Sequence, residues 1–318
     1  MLTQRSTVIH SRGEGTWLSF HGIPSRIVAT GKETGEVYCV SVGTSYPGGS
    51  APPHSHTFEE AFYITKGTME FHAGNATTSV SAGGFIHIPG GIAHFPRNPT
   101  DAESELITIC APAGFDSFQL EVGERVNSGD GPFPKADAKV EKKMKKAAFR
   151  YGINLSPDEA AFEIEPDIVV RQPGEGPVIG VVGDVYRFLV TGEESDGAYA
   201  IWHATIYPGG GPPPHRHSRE EEFFYLLSGE VTIYDDDRAV TAKPGTAVNL
   251  PIGSRHWFKN ESDAPAEMLI MVAPAGLEKM FEEAGERWTV DQGAPGEPTR
   301  EDIARLKEVA PAYGIELG

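Results

Sequence analysis

The chain has 318 residues, which is enough for two domains of about 150 residues each. Its 45 acidic against 27 basic side chains give a net charge of −18, which disfavours nucleic acid and anionic membranes as partners. No apolar run approaches the roughly 18 residues that a membrane span needs, and the N-terminus lacks a signal-peptide pattern. We therefore expect a cytoplasmic protein with no membrane partner.

Short runs of β-branched and aromatic residues are separated by Gly, Pro, Asn and Asp turns through both halves of the chain. Turn signals at spacings of about 8 to 12 residues predict an all-β sandwich or barrel. Cys39 and Cys110 lie within two of these runs, and we interpret them as buried structural thiols.

A His-x-His pair follows a glycine turn and two prolines in the first half. Residues i and i+2 of an extended chain face the same side, so His54 and His56 present both imidazoles together. Glu60 follows at the start of the next predicted strand, and His94 follows a Pro-x-Gly turn farther along. These four side chains are the predicted ligands of a metal ion.

Apolar residues beside the predicted ligands indicate a substrate pocket. Phe62 and Ile64 share the strand face of Glu60 and are predicted to point toward the metal. Phe95 is predicted to narrow the entrance, although plain barrel packing explains such an aromatic residue equally well.

Helical spacing appears only near the end of the first half. It predicts a short helix over 114–122 and a longer one that carries Val140, Met144, Ala148 and Tyr151.

The second half repeats the first at an offset of 161 residues, as from position 54 to position 215. One residue is inserted after the second His-x-His pair, so that Glu220, Glu221 and Glu222 compete as the ligand. Gapless alignment with Glu60 and the strand after it selects Glu222.

The repeat assigns the remaining predicted residues of the second half. The predicted metal ligands are His215, His217, Glu222 and His256, and the predicted pocket residues are Phe224, Leu226 and Trp257. Helices are predicted over 276–284 and after a Thr299 N-cap. We predict two domains, 1–160 and 161–318, each a strand-rich body with a helical tail.

Three imidazoles and one carboxylate suit Fe, Mn, Ni, Cu or Zn as a divalent ion, and the sequence does not select among them. In six-coordinate geometry such a site leaves two positions for a small-molecule substrate or O2.

Both halves carry the two motifs of the cupin superfamily, Gly-x5-His-x-His-x3–4-Glu-x6-Gly and Gly-x5-Pro-x-Gly-x2-His-x3-Asn. The first motif is filled by Gly48, His54, His56, Glu60 and Gly67, and again by Gly209, His215, His217, Glu222 and Gly229. The second is filled by Gly83, Pro89, Gly91, His94 and Asn98, and again by Gly245, Pro251, Gly253, His256 and Asn260. This resemblance implies two tandem jelly-roll barrels, or double-stranded β-helices, each with a metal centre.

The duplicated layout and the helical tails also resemble the quercetin 2,3-dioxygenase-like bicupins. In that family the metal binds the deprotonated 3-hydroxyl of a flavonol, the ligand Glu removes the proton, and O2 cleaves the central ring with loss of CO. The resemblance implies a dioxygenase in which Glu60 or Glu222 is both ligand and base.

Two other functions fit the same residues. A metal-dependent isomerase or decarboxylase would use the ligands for enolisation without O2, and a non-catalytic cupin would only bind a metal or a small ligand. A monomer with an internal pseudo-twofold axis and a homodimer both remain compatible with the sequence.

Overall fold

A computed structural model describes residues 5–20, 23–131, 133, 138–236, 238–289 and 292–318. The strands of that part are β1 (Val8–His10), β2 (Thr16–Phe20), β3 (Ile23–Ala29), β4 (Cys39–Ser45), β5 (Ser55–His56), β6 (Glu59–Lys66), β7 (Thr68–Ala73), β8 (Ala76–Ser81), β9 (Phe85–Ile88), β10 (His94–Arg97), β11 (Ser104–Ala111), β12 (Glu124–Arg125), β13 (Ile153–Asn154), β14 (Val169–Arg171), β15 (Val178–Val181), β16 (Asp184–Val190), β17 (Ala200–Ile206), β18 (His215–His217), β19 (Glu221–Ser228), β20 (Val231–Asp235), β21 (Arg238–Ala242), β22 (Ala247–Leu250), β23 (Arg255–Lys259), β24 (Ala266–Ala273), β25 (Glu286–Arg287) and β26 (Ile315–Leu317). The helices are α1 (Gly31–Thr34), α2 (Phe115–Val122), α3 (Ala138–Ala148), α4 (Glu278–Ala284) and α5 (Arg300–Val309). The predicted all-β fold with helical tails is confirmed.

The chain forms two compact units. Gly13–Glu175 is the N-terminal unit, and Met1–Arg12 together with Gly176–Gly318 is the C-terminal unit. These bounds differ from the predicted division after residue 160, because β14 pairs with β9 and β1 pairs with β22. Both strands are too short to produce a recognisable pattern in the sequence.

Each unit is built on an eight-stranded sheet with the same order of equivalent strands. The order is β12-β2-β3-β4-β11-β6-β9-β14 in the N-terminal unit and β25-β15-β16-β17-β24-β19-β22-β1 in the C-terminal unit. Smaller sheets complete each barrel, namely β10-β7-β8 with β13-β5 in one and β21-β20-β23-β18-β26 in the other. Successive side chains of a strand point to opposite faces of the sheet, so the side chains of one face fill the barrel interior.

The helical tails pack onto the open side of the sheets. Met144 of α3 and Leu306 of α5 are each buried within the apolar core of their own unit. The predicted N-cap of α5 is present, since Thr299 and Asp302 form a capping box. The four-residue helix α1 was not predicted, because it is shorter than one period of helical spacing would reveal. None of the helices in the described ranges has the length and apolar character to cross a bilayer.

Candidate metal centres

The four predicted ligands of the N-terminal unit lie together inside the barrel. His54, His56, Glu60 and His94 each offer one ligand atom, and these atoms all lie within 4.8 Å of one another. Glu60 Oε2 lies 3.0 Å from His56 Nε2 and 2.9 Å from His94 Nε2. The Nδ1–H of each ring can donate to a backbone carbonyl oxygen 2.8 or 2.9 Å away, which leaves Nε2 facing the cluster.

Backbone pairing brings these ligands together from separate segments. His54 and His94 form an antiparallel bridge, in which the two N–H groups donate over 3.0 Å and 2.7 Å. The turn before His94 places Gly91 at a φ of 89°, a conformation that favours glycine. The N–H of Gly91 then donates to the carbonyl of His56 at 2.6 Å, which fixes the distance between the two ligand strands.

The protonation states of this cluster suit metal binding. Burial, and next the neighbouring His94, lower the pKa of His54 to about 3, so its imidazole is neutral at pH 7. Burial alone would raise the pKa of Glu60, but His56 and His94 hold it well below its usual range. A neutral imidazole and an ionised carboxylate are the forms that coordinate a metal, and the residues therefore fit the ion.

A thiol contacts the other oxygen of the Glu60 carboxylate. Cys39 and Cys110 are buried and oppose each other across β4 and β11. Cys110 Sγ donates to Glu60 Oε1 at 3.7 Å, and burial raises the pKa of this thiol so that it keeps its proton. Cys110 thus orients the carboxylate as well as filling space in the core.

The equivalent side chains of the C-terminal unit form a second cluster. His215, His217, Glu222 and His256 also place their ligand atoms within 4.8 Å of one another. Glu222 Oε2 lies 2.8 Å from His256 Nε2 and 3.4 Å from His217 Nε2. His215 opposes His256 in the pairing of β18 with β23. Each unit therefore contains one site for a divalent transition metal.

The three competing glutamates of the second half have separate roles. Glu222 is in the cluster, whereas both oxygens of Glu221 accept from Arg5, at 2.6 and 2.9 Å. Glu220 Oε2 lies 3.4 Å from Nδ1 of His217. Burial lowers the pKa of His217, but the charges of Glu222 and Glu220 outweigh burial and raise it to about 9.

The motif asparagines have a structural role. Asn98 Nδ2 donates to the carbonyls of Ser45 and Ala102, at 2.9 and 2.8 Å. Asn260 makes the same pair of hydrogen bonds in the C-terminal unit. Both side chains are fully buried and tie the end of the second motif to the sheet.

A cavity of about 130 Å³ lies beside the N-terminal cluster, with His54 and Glu60 in its wall. The corresponding cavity of the C-terminal unit has about 60 Å³ and includes His215, His217 and Glu222. Most of the remaining wall comes from β3, β4, β11 and the helical tail in the N-terminal unit. In the C-terminal unit it comes from the equivalent strands β16, β17 and β24 and from the helical tail.

Of the six predicted pocket residues, Phe62 lines a cavity. Ile64, Phe224 and Leu226 share its inward face but pack within the barrel cores. Phe95 and Trp257 follow inward-pointing histidines and therefore point outward, where they stack on His72 and Tyr234. In each unit the residue two positions after the third histidine lines the cavity instead. This residue is Pro96 in the N-terminal unit and Phe258 in the C-terminal unit.

The sequence motifs do not include the part of the N-terminal cavity wall that is formed by β3, β4 and α2. Ser25, Ser41 and Gln119 belong to this part. The available signal was strand alternation, since positions 23, 25 and 27 and positions 39, 41 and 43 each share a face. The same alternation in both copies of the repeat is the sequence feature that marks these positions as wall residues.

Comparison with known proteins agrees with this architecture. The cupin domain family matches residues 42–110 and 202–272. A quercetin 2,3-dioxygenase of Bacillus subtilis (strain 168) is 21% identical over 287 residues, which cover 86% of this chain and 84% of that protein.

Solved structures share the fold at low sequence identity. The oxalate decarboxylase of Lactobacillus farciminis, in complex with formate, has a TM-score of 0.60 and 14% identity, covering 86% of this chain and 88% of that one. The oxalate decarboxylase of Bacillus subtilis, described with Mn(II) centres, has a TM-score of 0.55 and 16% identity, covering 87% of this chain and 79% of that one. The cupin domain family thus matches one segment in each unit, and the solved structures share the fold of the chain.

Proposed function

We propose that the protein is a metal-dependent dioxygenase that acts on a phenol-, enol- or flavonol-like small molecule. The observation that carries the proposal is the position of Glu60, which belongs to the metal cluster and also lines an adjoining cavity. Similarity to a quercetin 2,3-dioxygenase over most of both chains supports the same class of reaction.

The residues of the N-terminal unit have the properties that this reaction needs. His54, His56, Glu60 and His94 would hold a divalent metal, which as a Lewis acid lowers the pKa of a substrate hydroxyl. The Glu60 carboxylate accepts the hydroxyl proton as a general base, while Cys110 limits its rotation. Loss of that proton makes the substrate electron-rich enough to react with O2, the second substrate.

The cavity walls favour a neutral substrate over a dicarboxylate. Among the described residues that line either cavity there is no Lys or Arg to pair with a second carboxylate. The net charge of −18 acts in the same direction. This argues against a decarboxylase of a small dianion, the reaction named for the oxalate decarboxylases that share the fold.

Metal content and O2 consumption test the proposal together. The protein, purified without added metal, is expected to hold up to two ions per chain and to consume O2 with quercetin, a β-diketone or a catechol. His54→Ala and His215→Ala are each expected to remove one ion, because each ring is one of four ligands.

A location in the cytoplasm and a monomeric or homodimeric state are predictions that fractionation and sedimentation would check.

The outcomes separate the three candidate functions. Metal content unchanged in both variants would rule out the two centres. Bound metal without O2 uptake, but with CO2 release or isomerisation of a supplied acid, would favour the enolising enzyme. Bound metal with no turnover of any substrate would favour a binding protein.

A further inference from the structure

The walls of the two cavities can be compared strand by strand, because the sheets have equivalent registers. In the row nearest the metal, Cys110 opposes Glu60 in one unit and Val272 opposes Glu222 in the other. These rows are similar in size. Differences in side-chain volume begin in the next row from the metal.

In that next row the N-terminal unit has small polar side chains where the C-terminal unit has large apolar ones. Ser41 opposes Thr108 across β4 and β11. At the equivalent positions Trp202 opposes Ile270 across β17 and β24. A tryptophan side chain is far larger than a serine side chain, so this row has less free space in the C-terminal unit.

At positions beyond this row, polar side chains of the N-terminal unit again correspond to larger side chains of the C-terminal unit. Ser25 of β3 corresponds to Tyr186 of β16, and Gln119 of α2 corresponds to Phe281 of α4. Ser45, at the end of β4, corresponds to Ile206.

Aromatic rings close the C-terminal cavity. Trp202 stacks on Phe281 with 5.0 Å between ring centroids, and Tyr186 meets Phe281 edge-on at 4.7 Å. Trp202 is fully buried, so this cluster is part of the packed core. The result is a cavity of about 60 Å³, against about 130 Å³ in the N-terminal unit.

Buried polar groups of the N-terminal cavity are left with unused hydrogen-bonding capacity. Ser25, Ser45 and Gln119 are 3 to 5% exposed. Gln119 Nε2 donates to Ser25 Oγ over a long 3.4 Å, and Ser45 Oγ has no partner within the described part of the chain. Burial of polar groups without full pairing is unfavourable, so these groups are suited to pair with a ligand in the cavity.

We propose that the N-terminal barrel alone binds the organic substrate, and that Ser25, Ser45 and Gln119 recognise a polar group on it remote from the one that meets the metal. The substrate class is a phenol or enol that carries a second hydroxyl or carbonyl. The C-terminal cavity excludes such a molecule by its aromatic filling. This inference rests on the proposed function for the chemistry of the substrate and on the two cavity walls for its place.

Anaerobic binding of quercetin to the metal-loaded protein tests the proposal without turnover, and the shift of the flavonol absorption band reports binding. Ser25→Tyr and Gln119→Phe transfer the C-terminal wall into the N-terminal cavity. Each is expected to weaken binding by about tenfold or more while two metal ions per chain are retained. Tyr186→Phe, which alters only the C-terminal cavity, is the matched control and is expected to leave the affinity unchanged.

A variant of similar size separates recognition from blockage. Gln119→Met removes the amide and nearly preserves the side-chain volume, so it is expected to weaken the binding of quercetin by about tenfold. The affinity for acetylacetone is expected to stay unchanged, because both oxygens of this probe are used at the metal. Thermal unfolding of each variant shows whether it has folded.

Each result supports or overturns the assignment. Unchanged quercetin affinity in folded Ser25→Tyr and Gln119→Phe, or weaker binding in Tyr186→Phe, would overturn it. Equal losses for quercetin and acetylacetone in Gln119→Met would overturn the role of the amide. Quercetin bound in the N-terminal cavity without O2 uptake in air would reject the dioxygenase while the cavity assignment stands, and no binding of either probe to the unaltered protein would reject both.

Discussion

Single side chains distinguish two metal clusters that have the same four ligand types. Glu60 has a thiol beside its second oxygen, contributed by Cys110, where the C-terminal unit has Val272. His217 has the carboxylate of Glu220 at its Nδ1, at 3.4 Å. A carboxylate at the outer nitrogen makes an imidazole a more basic ligand, so the two centres differ in electronic character although their motifs are alike.

Asp184 is another residue at which the units differ, since the equivalent position is Ile23. Its side chain is 1% exposed and Oδ1 accepts from the N–H of Tyr207 at 3.0 Å. Burial raises the pKa of Asp184 to about 7, although hydrogen bonds from Tyr207 and Gly211 oppose the shift. As pH rises from 3.8 toward 7, the unfolded chain releases this proton while the folded chain keeps it, and the folded state loses relative stability.

We expect Asp184→Asn to remove this pH dependence. The amide oxygen can still accept the backbone N–H groups, and no ionisation penalty remains. The unfolding free energy of the variant, minus that of the unaltered protein, should rise from pH 5 to pH 8 by on the order of a few kcal/mol. Denaturant unfolding at both pH values measures the gain. The exposed Asp263→Asn is the control, and an equal difference at both pH values would contradict the assignment.

The helical tails are elements that complete each barrel. Met144, Ile153 and Leu155 line the N-terminal cavity, while Leu306 and Ile315 line the C-terminal one. Their apolar spacing was visible in the sequence, but the surface they cover was not. Tail stability and cavity shape are therefore linked.

The capping box of α5 provides a test of this element. Thr299 Oγ1 accepts from the N–H of Asp302 at 3.2 Å, and the Asp302 carboxylate accepts from the N–H of Thr299 at 2.8 Å. Thr299→Ala is expected to lower the unfolding free energy of the C-terminal unit by about 1 kcal/mol, because the cap satisfies helix N–H groups. Thr299→Ser keeps the hydroxyl and should be close to neutral in the same denaturant titration. Equal losses in both variants would show that the cap hydroxyl is not the cause.

At the scale of the whole molecule, each eight-stranded sheet is completed by a short strand that lies outside the repeated motifs. β14 occupies the edge of the N-terminal sheet, and β1 occupies the equivalent edge of the C-terminal sheet. The first residues of the chain therefore belong to the same unit as the last ones. Arg5 strengthens this arrangement through its paired hydrogen bonds to Glu221, whose side chain is 0% exposed.

Arg5→Ala is expected to destabilise the C-terminal unit by about 2 kcal/mol or more, since it leaves the buried Glu221 carboxylate without its cation. Arg5→Ala combined with Glu221→Gln should recover much of the loss, because no unpaired charge is then buried. A double-mutant cycle in denaturant unfolding measures the coupling between the two side chains. A single variant as stable as the unaltered protein would argue that the N-terminal segment contributes little.

The sequence by itself determined the duplication, the all-β class, the helical tails and the eight candidate ligands. Each of these depends on local periodicity or on fixed spacing within a few strands, as in His54-x-His56 and the Pro-x-Gly turn before His94. Glu222 could be selected over its neighbours because the repeat supplied a second, ungapped copy.

Only the tertiary structure decided where β1 and β14 pair and which of the two cavities is larger. The pairing of a three-residue strand depends on the free sheet edge that it meets, and not on any pattern of its own. The exchange of Ser41 for Trp202 is visible in the aligned repeat, but its effect arises where β3, β4, β11 and the tail helices converge. Cavity volume depends on side chains far apart in sequence, so two barrels with the same ligand motif can differ in what they admit.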